Sequence, residues 1–104
     1  MKLEGLRVID LSLFLPGPHL TLMMADHGAD VIKIEPPGEG EPNRHLGPKQ
    51  GEFTVYFRNT HRGKRSVCLN LKSDAGREAL LKLCETADVV IEAFRPGVVD
   101  RLGV

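Results

Sequence analysis

Val8-Ile9-Asp10-Leu11-Ser12-Leu13-Phe14-Leu15-Pro16-Gly17-Pro18 is an apolar run that breaks into a Pro-Gly-Pro turn. Far down the chain, Asp88-Val89-Val90-Ile91-Glu92-Ala93-Phe94-Arg95-Pro96-Gly97 has the same shape. In each, a short apolar strand gives way to a turn and then to a helix start. Two strand ends of this kind build the rim of a nucleotide-type crevice in an open α/β sheet.

The segments between them keep the alternation. After the first turn, Pro18 suits a first helical turn, where its missing N–H costs nothing. Leu20, Met23, Met24 and His27 recur at i, i+3, i+4 and i+7, which predicts the buried face of a helix. Gly28 is placed as its left-handed stop. Asp30-Val31-Ile32-Lys33-Ile34-Glu35 is the second strand, closed by Pro36-Pro37.

Residues 36–63 hold Gly, Pro, Asn and charge with little periodicity, apart from Phe53-Thr54-Val55-Tyr56-Phe57, a short helix or strand. A loop this long inside a compact domain points to a functional or partner-covered segment. From Arg65 to Leu71 the pattern alternates, with Val67, Leu69 and Leu71 on one face and Ser66, Cys68 and Asn70 on the other. Ser73-Asp74 supplies an N-cap and an acidic first turn. The helix then runs to about Thr86, with Ala75, Ala79, Leu80, Leu83 and Ala87 as its buried stripe. Val89 to Ile91 is the fourth strand, and Pro96 to Leu102 starts a short helix.

Strands alternating with helices predict an α/β fold: a Rossmann-like open parallel sheet, incomplete within residues 1–104. Folds of this kind usually carry further strands, so the chain reads as the N-terminal portion of a larger domain. Its C-terminus, just after a helix start, reads as cut rather than finished.

The bulk composition narrows the function. The chain has 104 residues, one domain at most. Lys plus Arg is 14 and Asp plus Glu is 14, so the net charge is zero. That balance gives no argument for nucleic acid or an anionic membrane as partner. The apolar runs are far shorter than a membrane span. Glu4 and Gly5 stand where a signal peptide needs an apolar core. Cys68 and Cys84 lack CxxC or CxxH spacing and read as reduced core residues of a cytoplasmic protein, with a lone disulfide as the alternative.

The residues alone leave the chemistry open. The turn at Phe14, Leu15, Pro16 and Gly17 lies where ligands bind in open sheets, yet it lacks a GxGxxG and equally suits a plain strand–helix turn. His61, Arg62, Lys64, Arg65 and Lys72 bracket one strand and could hold phosphates, or form a solvated loop. Phe94 could pack on a flat ring and Arg101 reach a phosphate, or they are a core aromatic and a surface cation. His19, His27, His45 and His61 have no metal-ligand spacing, and His27 reads as a packed histidine. Asp10 and Glu35 sit at strand ends, where carboxylates bond loop backbone. No titratable pair is close enough in sequence to assign as acid and base.

Taken in order, several blocks resemble the class III CoA-transferases, the CaiB/BaiF family. They are Leu3-Glu4-Gly5-Leu6-Arg7-Val8-Ile9-Asp10-Leu11, Pro16-Gly17-Pro18, Ala25-Asp26-His27-Gly28-Ala29-Asp30-Val31-Ile32-Lys33-Ile34-Glu35 with Pro37-Gly38, and Gly63 to Lys72. The last is Ala87-Asp88-Val89-Val90-Ile91-Glu92-Ala93-Phe94-Arg95-Pro96-Gly97-Val98. The resemblance covers essentially the whole chain.

It implies a cytoplasmic, interlocked homodimer that moves coenzyme A between an acyl-CoA and a carboxylic acid, with CoA as substrate and no permanently bound cofactor. One branch of the family instead racemises 2-methylacyl-CoA thioesters, and a non-catalytic CoA-binding remnant is a third reading. Carried over by position, Phe14, Leu15 and Pro16 would lie against the thioester arm. Leu69 and Lys72 would flank the adenine and its phosphates. Ala93, Phe94, Arg101 and Leu102 would line the rest of the nucleotide pocket. Pro36 stands where some members carry an adenine-packing Arg, and Ala93 where some carry Asn. Family members are several times longer. Their catalytic aspartate, which becomes a mixed anhydride and then a CoA thioester, has no counterpart within residues 1–104, so no catalytic residue is assigned here.

Overall fold

The computed structural model describes residues 1–104. In chain order the elements are β1 (Arg7–Asp10), α1 (Pro16–Asp26) and β2 (Asp30–Glu35). A 3-10 turn (Pro42–His45), a small hairpin of β3 (Lys49–Gln50) and β4 (Phe53–Thr54), and α2 (Val55–His61) follow. Then come β5 (Arg65–Cys68), α3 (Asp74–Glu85), β6 (Val89–Ile91) and α4 (Val98–Leu102).

Four strands form one sheet in the order β5-β2-β1-β6, and every pairing is parallel. β1 is central: Val8 pairs with Val31 on one side and Val89 on the other. This is the strand order of a Rossmann half, and it bears out the α/β reading. β1 and β2 read as nearly continuous apolar runs because both faces of the sheet are covered. The pleat divides them between two cores. Ile9, Leu11, Ile32 and Ile34 pack with Leu80 of α3, while Val8, Val31 and Ala29 pack with Met24 and Ala25 at the end of α1.

The start and stop of α1 follow from its sequence. Pro16 opens it, and Gly28, with φ 101°, turns the chain out of it. Its buried face is not the predicted one. Gly17, Pro18, Thr21 and Leu22 face inward, while Leu20, Met23 and His27 are exposed. The cause is the buried carboxylate of Asp10, which accepts a hydrogen bond from Thr21 Oγ1 at 2.5 Å. A buried carboxylate must find donors, and the helix is turned to supply one. His27 is therefore no core histidine; its Nδ1 lies 2.7 Å from the Met23 carbonyl at the helix end.

Ser73 caps α3 by accepting from the Gly76 amide at 3.1 Å, as its sequence predicts. Leu80 is buried, and Ala79, Leu83 and Ala87 are half-buried behind it, but Ala75 is exposed in the first turn. Gly76 takes its place against the chain: a Cβ there would stand 1.9 Å from the Asn70 carbonyl oxygen. Val67 of β5, and Leu69 and Leu71 just after it, turn inward as the alternation predicts. Cys68 is consequently exposed rather than a core residue, Cys84 is half-buried, and both thiols are free.

Residues 36–63 are not an irregular loop. They form a lobe whose interior is polar: Glu41, Asn43, Thr54, Thr60 and His61 are all buried. Thr54 caps α2 by accepting from the Phe57 amide at 3.0 Å. The rings of Phe53, Phe57 and His61 stack in a row along this lobe, and the Arg44 guanidinium lies 4.1 Å from the Phe57 ring centre.

Candidate functional site

A crevice of about 420 Å³ opens at the carboxyl ends of the strands. Leu11 and Leu13 follow β1; Ile34 and Glu35 end β2, and Pro36 and Pro37 follow it; Leu69 to Lys72 follow β5; Phe94 follows β6; and Leu102 comes from α4. In an open parallel sheet this is where ligands lie, because the loops that leave the strands converge there. The walls are largely apolar, and Lys72 is the cation among them. An apolar slot with a cation at its rim can take a flat ring inside and an anionic group at the edge.

Five of the residues singled out from sequence line this crevice: Pro36, Leu69, Lys72, Phe94 and Leu102. The other five lie outside its lining. Phe14 and Leu15 are about half exposed, at 49% and 50%, on the β1–α1 connection. Pro16 is exposed at the start of α1, Ala93 is exposed beyond β6, and Arg101 is exposed beside Leu102.

The basic cluster does not form one phosphate site. Arg62 pairs with Asp26 at 2.8 Å, and Arg65 grips Asp30 through Nε and Nη2 at 3.0 and 2.7 Å. Lys64 turns into the interior, where its Nζ is 3.2 Å from Asp10 Oδ2. These three side chains answer carboxylates of the fold. Of the cluster, only Lys72 reaches the crevice.

Behind the crevice lies a buried ionic network that the sequence reading missed. The Asp10 carboxylate sits between Lys33 and Lys64 and accepts from Ser12 and Thr21. Burial alone would raise its pKa, but the Lys33 charge and these hydrogen bonds bring it below the usual value. Burial pushes both lysines down, Lys64 to about 8. Glu35 accepts from Arg44 Nε and Nη2 at 2.7 and 2.9 Å, from Ser66, and from the Glu41 amide at 2.7 Å. Burial opposes its charge, yet these donors hold it at about 2. His61 Nδ1 lies 3.2 Å from Lys64 Nζ and its Nε2 lies 3.5 Å from Glu41 Oε2. Burial keeps the His61 ring below its ordinary pKa. One signal in the sequence pointed here. Lys33 interrupts an apolar strand run, and a charge in a strand covered on both faces needs a partner.

No group of three or more His, Cys, Asp and Glu side chains is placed to hold a metal ion. No helix is long and apolar enough to cross a membrane.

Comparison with known proteins agrees with this architecture. The chain is 50% identical over 100 residues to an acetyl-CoA:oxalate CoA-transferase of Acetobacter aceti, covering 96% of this chain and 26% of that protein. It is 45% identical over 104 residues to a succinyl-CoA:mesaconate CoA-transferase of Haloarcula marismortui, covering 95% and 26%. Its backbone superposes on the crystal structure of a CaiB/BaiF family protein from Brucella suis with a TM-score of 0.91 at 40% identity, covering 98% of this chain and 28% of that one. The chain thus spans about a quarter of the length of the curated relatives it matches. The family profile described as CoA-transferase family III matches residues 3–104, and the chain belongs to that family.

Proposed function

We propose that this chain holds coenzyme A for a transferase that moves CoA between an acyl-CoA and a carboxylic acid. The observation that carries the reading is the apolar crevice at the carboxyl ends of β1, β2, β5 and β6, with Lys72 at its rim. Leu69 and Pro36 flank the adenine, and Lys72 meets a phosphate through a charge-assisted hydrogen bond. Phe94 and Leu102 close the far side of the nucleotide, with Ala93 and Arg101 at its margin. The pantetheine arm runs toward Phe14, Leu15 and Pro16 at the start of α1. CoA is a substrate here, not a resident cofactor.

The chemistry is acyl exchange through a carboxylate nucleophile. An aspartate outside residues 1–104 attacks the thioester carbonyl, the C–S bond breaks, and CoA leaves as the thiolate while a mixed anhydride forms. The thiolate then attacks the aspartyl carbonyl, displaces the original acid as its carboxylate and leaves an aspartyl–CoA thioester. An incoming carboxylate repeats the exchange in reverse and takes the CoA. Covalent catalysis of this kind splits one difficult transfer into easier steps. The enzyme works as an interlocked homodimer in the cytoplasm. The relatives' names, which specify transfer between CoA thioesters and dicarboxylates, favour transfer over racemisation.

Titration calorimetry of the 104-residue chain with CoA tests the binding part. Saturable binding is expected, and no binding at millimolar CoA would remove the reading. An assay of the same chain for CoA exchange between two acids is expected to show none. Measurable transfer would place the nucleophile within residues 1–104.

A further inference from the structure

Phe14 is the one residue other than glycine with a left-handed backbone, at φ 65°. A bulky side chain is strained there, and strain of this kind persists only where the surroundings over-determine it. Two buried side chains do so. Glu41 Oε1 accepts the Phe14 N–H at 2.9 Å, and Asn43 Nδ2 donates to the Phe14 carbonyl at 2.6 Å. Glu41 and Asn43 are both 0% exposed.

The brace is itself braced. The other Glu41 oxygen accepts the Asn43 amide at 2.5 Å and lies 3.5 Å from His61 Nε2. His61 Nδ1 faces Lys64 Nζ at 3.2 Å, which puts the ring's own proton on Nε2, toward Glu41. Lys64 closes the circuit on Asp10, the last residue of β1. Charged groups buried this completely are costly unless each is paired. Yet what they hold at the far end is a half-exposed ring, which adds little to the core. The ring follows directly on Leu13, a crevice residue.

We propose that Glu41 and Asn43 are positioning residues that fix Phe14 against the thioester arm of bound CoA, with His61 orienting the Glu41 carboxylate. The proposal rests on the CoA reading given above.

The test compares CoA with 3′-phospho-ADP, the nucleotide half that lacks the arm, by titration calorimetry of the 104-residue chain. Glu41→Ala is expected to weaken CoA about tenfold and to change 3′-phospho-ADP by less than about twofold. Asn43→Ala does the same to a smaller degree. In a Phe14→Gly background, Glu41→Ala changes CoA affinity by less than about twofold, because glycine adopts the left-handed backbone without a brace. Equal loss for both ligands, an unchanged CoA affinity, or additive effects with Phe14→Gly overturns the proposal. A wild-type chain that binds neither ligand overturns the CoA reading beneath it, a distinguishable result. The unmodified chain gives a second readout that no unfolded variant can obscure. CoA, and not 3′-phospho-ADP, shifts the Phe14 amide resonance; the absence of that difference overturns the proposal.

Discussion

Lys64 Nζ meets Asp10 Oδ2 at 3.2 Å across a separation of 54 residues, with the two side chains 2% and 0% exposed. Lys33 approaches the other carboxylate oxygen at 3.7 Å. One carboxylate therefore answers two buried ammonium groups, helped by the carbonyls of Ser12 and Pro18. Asp10→Asn keeps the shape and removes the countercharge. It is expected to destabilise the chain by about 3–5 kcal/mol, the cost of breaking a buried pair from one side. Urea unfolding measures it. A loss below about 1 kcal/mol, the range of a solvated pair, would contradict the burial.

The same network sets the pH dependence. Glu35 titrates at 4.5 when unperturbed and at about 2 in the fold, so its contribution is present above pH 4.5 and is lost as pH falls toward 2. Asp10 and Glu41 are shifted in the same direction and add to the acid loss. Lys64 works at the other end, with its value lowered from 10.5 to about 8. Between those values the unfolded chain binds the proton and the folded chain does not, so stability rises with pH across that window. Lys33, also lowered, acts in the same sense. Thermal unfolding from pH 2 to 10 is expected to show a fall on the acid side and a rise on the alkaline side. A melting temperature that stays level on the acid side would refute the Glu35 assignment.

Gly17 sits where the β1–α1 connection passes closest to itself. A Cβ there would lie 2.1 Å from the Ser12 Cβ, and Ser12 is held by Asp10. Gly17→Ala is expected to cost about 1–3 kcal/mol by overpacking. Gly38→Ala is the control, since a Cβ there meets nothing within 4 Å and bears only the strain of φ +87°. A Gly17→Ala midpoint in urea equal to that of the unsubstituted chain would show that the connection yields freely.

Lys72→Ala is expected to weaken CoA about tenfold, the worth of one charge-assisted hydrogen bond. Arg101→Ala, exposed on α4 at the crevice margin, is expected to weaken it less, and more visibly at low salt. Calorimetry at two ionic strengths checks both. Unchanged affinity in both variants would remove the crevice from the CoA reading.

The sequence made the sheet legible where local signals and tertiary packing agree. Val8-Ile9 and Val31-Ile32 are apolar runs because both faces are covered, and Ser73 and Gly28 mark helix ends by their own chemistry. The α1 face was misread because a buried Asp10 outweighed the apolar periodicity of Leu20 and Met23. The lobe at 36–63 was illegible for a related reason. Its strands have two residues each, and its interior is built from Glu41, Asn43 and His61, which carry no periodic apolar signal. The crevice was half legible. Leu69, Lys72, Phe94 and Leu102 follow strands and line it, while Lys64 looked like a surface cation and is an interior one.

The placing of β1 between β2 and β6 also dictates an order of assembly. Arg7, at the start of β1, bonds Asp30 only 23 residues on but Asp88 81 residues on. Closing the longer loop costs about 1 kcal/mol more in chain entropy, and distant pairings form late. β6 is therefore expected to dock after β1, α1 and β2 have joined. Pulse-labelled hydrogen exchange should protect the Val31 and Ile32 amides before those of β6; the reverse order would exclude this route. Since Phe94 follows β6, the last wall of the crevice arrives at the end of folding. A ligand that bridges it to Leu69 would then act as a latch on the slowest-made contact in the sheet.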